Sequence, residues 1–591
     1  MHLRLVYRAL RKISDWSLGL YSDVYVEGQE NVPQDGPVII AATHHNEMID
    51  IATLAAMIPY RRPVNFWAKS TMFKNPISGW ILSSAGSIPV NRNPNSIPGE
   101  NGSQQTDTHH ALFKETFQAL DDGEVIGVFP EGTSYTEPQI AQVKDGAAWA
   151  ALEYAKWQRR QETNHKDGSK AKPLRLVPVA IIYTDKSQFQ SRICVRWGKP
   201  IDVTPFVDEC LSGPSVDSRI VIKKLTREIE RCLVAMTINA QNWDTLYQAE
   251  IARNITWGDE NKIPTEDYVA VTQGVIGRIS ALQRGNTSAG DLKSLITYYS
   301  LSHYTGISHA TLASLYPGER SPPTPTRALT VFLQQVVKTM LHPRFLFFFP
   351  TFLVHLPAYL FGHLAGRYLA NHKEEETQAQ FKAIFGGLGF GLASGFVGKK
   401  LADLLLLSNL RRVVHDSWLP NLASWSAGIH EIDPITGWKR ALGTLAVMLG
   451  TTKMLYKWHS ALVAASPSLG FFGALTEILQ SRLKRLIASY KVLDSLCRPR
   501  PAKLTTSEVE FYSRPPEKPV NPYIKRRIEV NGASTPPSDS SGSNTPSIVP
   551  ESPPPIPIRS STTSRLLVRE LLAARVKATT AVRNVIRDKR D

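Results

Sequence analysis

Cysteine is scarce in this chain of 591 residues: only Cys194, Cys210, Cys232 and Cys497 occur, and none sits in a CxxC spacing. A disulfide framework and a paired-thiol redox site are thereby excluded as organising principles, and a reducing compartment fits. No internal repeat is evident, which argues against a solenoid or propeller. Acidic residues are in deficit, 52 against 68 basic ones, for a net charge of +16. That balance favours a polyanionic partner: nucleic acid, an anionic membrane face or a phosphorylated small molecule. No recognised nucleic-acid motif accompanies the dispersed charge, so nucleic-acid binding is not expected. The opening MHLRLVYRALRKISDW lacks the uninterrupted apolar stretch of a secretory signal, because arginines break every run. It reads as a retained amphipathic helix able to lie on a membrane.

What is present divides the chain. Residues 1–250 alternate short apolar runs, PVIIAAT (37–43), EVIGVFP (124–130), LRLVPVAIIY (174–183) and ICVRWG (193–198), with helical patterns such as HALFKETFQALDDG (110–123) and GAAWAALEYAKWQRR (146–160). That alternation predicts an α/β domain with a mainly parallel sheet covered by helices. Residues 251–335 read as a helical extension. In the hydrophobic region 336–475, Phe345–Gly366 carries no formal charge and is long enough to cross a bilayer, although Pro350 and Pro357 admit a kinked or re-entrant rival. Gly387, Gly391 and Gly395 recur at four-residue spacing, a pattern that lets helices approach closely in lipid. Residues 476–561 read as a linker and a Ser/Pro-rich disordered segment. A basic amphipathic helix is expected over 562–591, with its stripe at Leu567, Leu571, Ala574, Ala578, Val582 and Val585. A solvated or partner-binding face and membrane-surface binding suit that helix equally.

The stretch THHNEMID (43–50) places two histidines before an apolar helix with an embedded Asp50. Within a helix, five residues turn through roughly 500°, so His45 and Asp50 can meet only if the histidine precedes the helix. Asn46 is a good N-cap, which makes His45 and Asp50 the pair that touches in a staple-like arrangement. Asp50 would then fix the imidazole tautomer, and His45 could take a proton from a hydroxyl. His44, one residue further out, is the alternative base. The bland reading is a polar helix start without chemistry. A metal site from His44, His45, Glu47 and Asp50 lacks obvious further ligands, and none is expected.

Three later blocks complete the set. AGSIPVNR (85–92) offers Gly86 for close backbone approach and Arg92 for bidentate phosphate binding. VFPEGTSY (128–135) ends a strand in Glu131, Gly132 and Thr133, where open α/β sheets bind ligands. LVPVAI (176–181), with Pro178, shapes a pocket or fills core.

Taken in this order, HHNEMID, GSIPVNR, FPEGTS and VPVAI resemble the four sequence blocks of the glycerolipid (PlsC-like) acyltransferases. FWAKSTMFKNPISGWILSSAGSIPVNR, FPEGTSYTEPQIAQVKDGAAWAALEYAKW and the region of NWDTLY (242–247) are similar to the fungal glycerol-3-phosphate/dihydroxyacetone-phosphate acyltransferases. The family commonly has Asn before its histidine and Ser two positions after it; here those places hold His44 and Glu47. Pro89 stands where a bulkier apolar residue is usual. The resemblance implies acyl-CoA as co-substrate without a bound cofactor, and glycerol-3-phosphate or dihydroxyacetone phosphate as acceptor. Lysophosphatidate is the rival acceptor, and a non-catalytic lipid-binding scaffold the rival class. By the same resemblance His45 is the base oriented by Asp50, and Gly86, Arg92, Glu131, Gly132 and Thr133 bind the acceptor. Membrane lipids are implied partners, protein partners stay open, and the expected location is the endoplasmic reticulum membrane with the catalytic domain facing the cytosol.

Overall fold

The computed structural model describes residues 5–90, 114–164, 172–186, 191–212, 217–259, 262–285, 288–318, 321–340, 343–369, 375–406, 442–455, 457, 474–497, 505–516 and 561–587. Seven strands, β1 (Ser22–Glu27), β2 (Val38–Ala42), β3 (Val64–Lys69), β4 (Ile88–Val90), β5 (Val125–Val128), β6 (Arg175–Tyr183) and β7 (Ser191–Trp197), form one sheet in the order β1-β7-β6-β2-β5-β3-β4. Only β6–β7 is antiparallel. The central β2 and β5 are buried at every position, as strands covered on both faces must be, which explains their unbroken apolar runs. Each of the four expected runs is a strand.

Helices cover both faces. α1 (Leu5–Tyr21) and α2 (Glu47–Met57) lie on one, with Tyr7, Leu18, Ile49 and Leu54 packed against Val38, Ile40 and Val177. α3 (Pro76–Ser84) and α4 (114–121) follow β3 and precede β5. On the other face, α5 (Gly146–Asn164), α6 (Thr204–Leu211) and α7 (Ser218–Met236) bury Ala147, Ala151, Val207, Leu225 and Ile229 against Ile39, Ile126 and Leu176. Gly123 stops α4 at φ +71°, its N–H bonded to Leu120 O.

A second body is all helical. Its α8 (Trp243–Trp257), α9 (Tyr268–Arg284), α10 (Ala289–Thr305), α11 (His309–Leu315) and α12 (Pro325–Met340) share one core with the helices Ala474–Cys497, Thr506–Tyr512 and Ser561–Arg587. The expected division into extension, linker and separate C-terminal helix is therefore corrected: these pieces build one body. Residues 476–497, read as linker, are helical, and Thr506–Tyr512 opens with a capping box and buries Tyr512. Residues 517–560, where most of the Ser/Pro-rich expectation falls, lie outside the described residues.

The stripe expected on the C-terminal helix is the buried one: Leu567, Leu571, Ala574, Ala578, Val582 and Val585 all face the helical core. Its partner is the chain's own bundle, and the membrane-surface alternative falls. Two of its arginines reach backbone carbonyls, Arg569 to Ser495 and Arg575 to Tyr316.

Between these pieces runs an apolar hairpin, α13 (Pro343–Tyr368) and α14 (Glu375–Leu406), two helices packed on each other. α13 continues through Pro350 and Pro357, so the run is helical throughout. Among the described residues, Gln380–Ala402 of α14 is the one stretch long and apolar enough to cross a membrane. The close approach is made by other glycines than expected. A Cβ on Gly389 would lie 2.9 Å from Ala358 Cα, and one on Gly398 would lie 2.8 Å from Met448 Cα. Gly387 and Gly391 meet nothing within 4 Å, and Gly395 only Met448 Cε at 3.6 Å. α14 also packs against α1 and α2 of the α/β domain.

Candidate active site

β2 and β5 are parallel neighbours, with Ala41 paired to Val128, so the residues after both strands emerge side by side at one edge of the sheet. Thr43 fixes the end of β2: its Oγ1 accepts from Ile181 N at 2.9 Å, and its N–H reaches Val179 O at 3.0 Å. The next residue, His44, donates its backbone N–H to Glu131 Oε1 at 2.7 Å, joining the two strand ends. Its ring stacks on Phe129, with centroids 4.1 Å apart and planes 20° from parallel.

His44 Nδ1 lies 2.9 Å from Asp50 Oδ2. Asp50 is fully buried and is the fourth residue of α2, counted from the N-cap Asn46. Its Oδ2 also accepts from Asn46 N at 2.7 Å, while Oδ1 accepts the Tyr183 hydroxyl at 2.5 Å. A carboxylate with these donors demands a proton on His44 Nδ1, which leaves Nε2 with a lone pair. That is the arrangement of a base held by an acid.

The expected pairing of His45 with Asp50 is thus corrected: His44 makes the contact. The reason lies in the turn. Glu47 opens α2 at φ +43°, a left-handed conformation held where its N–H donates to Ser134 Oγ at 3.1 Å. With Asp50 turned back onto the Asn46 N–H, the carboxylate faces the residue two places before the cap. His45 points elsewhere, with Nε2 3.8 Å from Glu131 Oε1 and its ring edge-on to Tyr135. Burial first, then the nearby Lys186 charge, lower its pKa to about 3, so it stays neutral and is a poor base at neutral pH.

Glu131 is fully buried, and burial raises its pKa to about 8, against partial offsets from Tyr135 and the His44 N–H. Its Oε2 has no hydrogen-bond partner among the described residues, an orphan polar atom beside His44. Gly132 turns the chain at φ +78°, where a Cβ would sit 2.7 Å from Lys144 Nζ. Thr133 is partly exposed in the same turn. Glu131 therefore adjoins both histidines, through the His44 N–H and 3.8 Å from His45 Nε2, with Gly132 and Thr133 next in the chain.

The remaining expected residues fare differently. Gly86 stands at the other edge of the sheet, lining a cavity of about 1300 Å³ with Tyr7, Arg11, Arg61 and Asn65, near the starts of β3 and β4. It is therefore not part of this site. Pro178 is buried within β6, paired with Ala41, and its ring stands against Gly198 and Met236; it fills core under α7. Arg92 lies outside the described residues. Among the described residues no group of three or more His, Cys, Asp or Glu is placed to hold a metal ion. Sequence reasoning missed Tyr183, Phe129 and Ser134. The available signal was a tyrosine closing the otherwise apolar, buried run of β6, the strand next to β2.

Residues 23–182 match the model of the family described as Acyltransferase, and the chain is similar to glycerolipid, PlsC-like acyltransferases. Among individual proteins, it is similar to glycerol-3-phosphate O-acyltransferase 2 of Saccharomyces cerevisiae, 25% identical over 164 residues covering 28% of this chain and 20% of that one. A second relative is 1-acyl-sn-glycerol-3-phosphate acyltransferase of Bacillus subtilis, 31% identical over 121 residues, covering 20% and 53%. The third is glycerol-3-phosphate O-acyltransferase 1 of S. cerevisiae, 21% identical over 380 residues, covering 50% and 48%. The chain thus spans between a fifth and about half of the length of these relatives.

Proposed function

We propose that the chain transfers a fatty acyl group from acyl-CoA to the sn-1 hydroxyl of glycerol-3-phosphate or dihydroxyacetone phosphate, with His44 as general base. The observation that carries the reading is the 2.9 Å contact between His44 Nδ1 and the buried Asp50 carboxylate. The acceptor hydroxyl gives its proton to His44 Nε2 as its oxygen attacks the thioester carbonyl. The carbon–sulfur bond then breaks, and the departing CoA thiolate takes the proton back from the imidazolium. Asp50 holds the tautomer and stabilises the positive charge in between. Glu131 Oε2, buried without a partner, suits an acceptor hydroxyl. Thr133 and Gly132 flank it, and the phosphate-binding role of Arg92 rests on the resemblance of GSIPVNR to the family block.

The choice of acceptor is supported by the extent of similarity. The match to the yeast glycerol-3-phosphate O-acyltransferase 1 covers 50% of this chain, whereas that to the bacterial 1-acyl-sn-glycerol-3-phosphate acyltransferase covers 20%. Attachment through the α13–α14 hairpin to the endoplasmic reticulum, with the catalytic domain facing the cytosol, suits an enzyme whose donor and product are amphiphiles.

Purified full-length chain, labelled palmitoyl-CoA and each acceptor in turn test the proposal. Labelled monoacyl product from glycerol-3-phosphate or dihydroxyacetone phosphate is expected, lost in His44→Ala. Transfer to lysophosphatidate alone would replace the acceptor, and transfer to none would leave the scaffold reading.

A further inference from the structure

α2 begins without the cap its sequence offers. Asn46 stands at the N-cap, yet its side chain makes no capping bond, and its Oδ1 is buried with no hydrogen-bond partner among the described residues. Two donors at the helix start are taken up elsewhere: the Asn46 N–H by Asp50 Oδ2 at 2.7 Å, and the Glu47 N–H by Ser134 Oγ at 3.1 Å. Ser134 therefore does from the turn after β5 what a cap residue does from its own helix.

The residue so held is the unusual one. Glu47 carries a Cβ and sits at φ +43°, a conformation that costs free energy and persists only where the surroundings impose it. Among the described residues the non-glycine positions with positive φ are Glu47, Tyr60, Arg61 and Ser288, and of these Glu47 lies between the two histidines and Asp50. Three bonds lace this segment to the turn after β5. Glu131 Oε1 accepts from His44 N at 2.7 Å, Tyr135 N donates to His44 O at 3.4 Å, and Ser134 Oγ accepts from Glu47 N. The first two fix the main chain of His44; the third reaches past both histidines and holds Glu47.

From this geometry we infer that Ser134 is a positioning residue that selects which histidine the carboxylate meets. With the hydroxyl in place Glu47 stays left-handed, and Asp50 Oδ2 comes back onto Asn46 N and lies 2.9 Å from His44 Nδ1. Without it, the right-handed conformation is the lower one for a residue with a Cβ, and α2 starts as a regular helix. Its fourth residue then faces the one just before the cap, His45, as in a staple. The base is lost although every member of it is still in the chain. Ser134 acts through the backbone of Glu47 and not on the reacting atoms.

The kinetic arm of the test rests on the acyl-transfer reading; the spectroscopic arm does not. Both use the full chain with Ser134→Ala, made in the wild-type and in the Glu47→Gly background, because glycine adopts positive φ with no hydroxyl to hold it. In the wild-type background Ser134→Ala is expected to lower kcat about tenfold with KM for the acceptor unchanged. In the Glu47→Gly background the same change should cost less than about twofold. A tenfold loss in both backgrounds, or a rise in KM at constant kcat, would place Ser134 against the substrate and overturn the positioning role. Wild-type kcat in Ser134→Ala would overturn it as well. Unfolding of Ser134→Ala that Glu47→Gly does not repair would assign the hydroxyl to the fold and end the proposal.

The second readout is the downfield proton resonance of an imidazole N–H held by a carboxylate, assigned to His44 by its absence in His44→Ala. Ser134→Ala should lose it, and Glu47→Gly/Ser134→Ala should regain it. A resonance unchanged in Ser134→Ala, or absent from wild type, would show that the hydroxyl does not hold the pair. If the resonance behaves as expected but no acceptor is acylated, the functional reading falls and the positioning role stands.

Discussion

Each body of the chain holds a histidine through Nδ1 at 2.9 Å, His309 buried and His44 partly exposed, and the two are set to different ends. In the helical body, His309 meets the hydroxyl of the buried Tyr298. Burial, with Arg575 nearby, lowers its pKa to about 4. A hydroxyl partner offers no charge to stabilise an imidazolium, and the arginine opposes one. In the catalytic domain, the partner of His44 is a carboxylate held by donors from Asn46 N and Tyr183. Distance is common to both; the charge of the partner is what suits His44, and not His309, to the proposed role of base.

The sharpest break of that comparison is kinetic. His44→Ala is expected to lower kcat by about 10³-fold or more, in the upper range for loss of a general base. His309→Ala should leave kcat within about twofold and lower the stability of the helical body instead. His45→Ala should cost about tenfold or less, since a neutral, packed ring is lost and not the base. Single-turnover rates with labelled acyl-CoA measure all three. A larger loss in His45→Ala than in His44→Ala would reverse the assignment.

Next in size is a stability effect confined to one body. The catalytic core is drawn from a contiguous stretch, whereas the helical core needs Leu567, Leu571 and Val582 from the far end of the chain. Leu571→Ala removes a fully buried leucine and should destabilise the helical body by about 2–5 kcal/mol. Calorimetry would show its transition moving down while the catalytic transition holds. Transitions that move together would mean that the two bodies unfold as one unit.

The pH dependence of the two bodies should differ as well. The Glu131 pKa is raised to about 8 in the fold, so between the ordinary carboxylate value and pH 8 the folded state binds more protons than the unfolded one. Stability of the catalytic domain is then full at low pH and falls as pH rises through that window. Glu131→Gln keeps the oxygen that accepts from His44 N and cannot titrate. Its thermal midpoint relative to wild type should rise steadily from pH 5 to pH 8. His45 acts in the opposite sense: its pKa is lowered to about 3, so stability is lost as pH falls from 6.5 towards 3. A flat difference between Glu131→Gln and wild type would show that the carboxyl is ionised throughout.

Local pattern made most of the catalytic domain legible. Unbroken apolar runs located β2, β5, β6 and β7, because buried parallel strands have no polar face to interrupt them. The helical body was legible as helices but not as a body, since no local signal says that Leu567 packs beside residues three hundred positions earlier. The amphipathic stripe was readable; its partner was not. The site followed the same rule. Asp50 and Glu131 stood out, yet the choice between His44 and His45 turned on Glu47 at φ +43°. Counting positions along a regular helix cannot anticipate a left-handed residue at its mouth.

Tyr183 supplies the smallest effect and the finest test of the carboxylate's part in the comparison. Its hydroxyl donates to Asp50 Oδ1 at 2.5 Å, and burial together with Asp50 raises its pKa well above the ordinary value, so the proton stays on the tyrosine. Tyr183→Phe keeps the ring and deletes one of the bonds that hold the carboxylate. Asp50 still has Asn46 N and His44 Nδ1 on Oδ2, so the pair survives with one oxygen loosened. A loss of about tenfold in kcat is expected, near 1.4 kcal/mol, with KM unchanged because no substrate contact is touched. If Tyr183 merely filled space, kcat per folded molecule would match wild type and only the thermal midpoint would move. If Tyr183→Phe instead lost as much as His44→Ala, the hydroxyl itself would be moving protons, and the histidine–carboxylate pair would no longer suffice as the base.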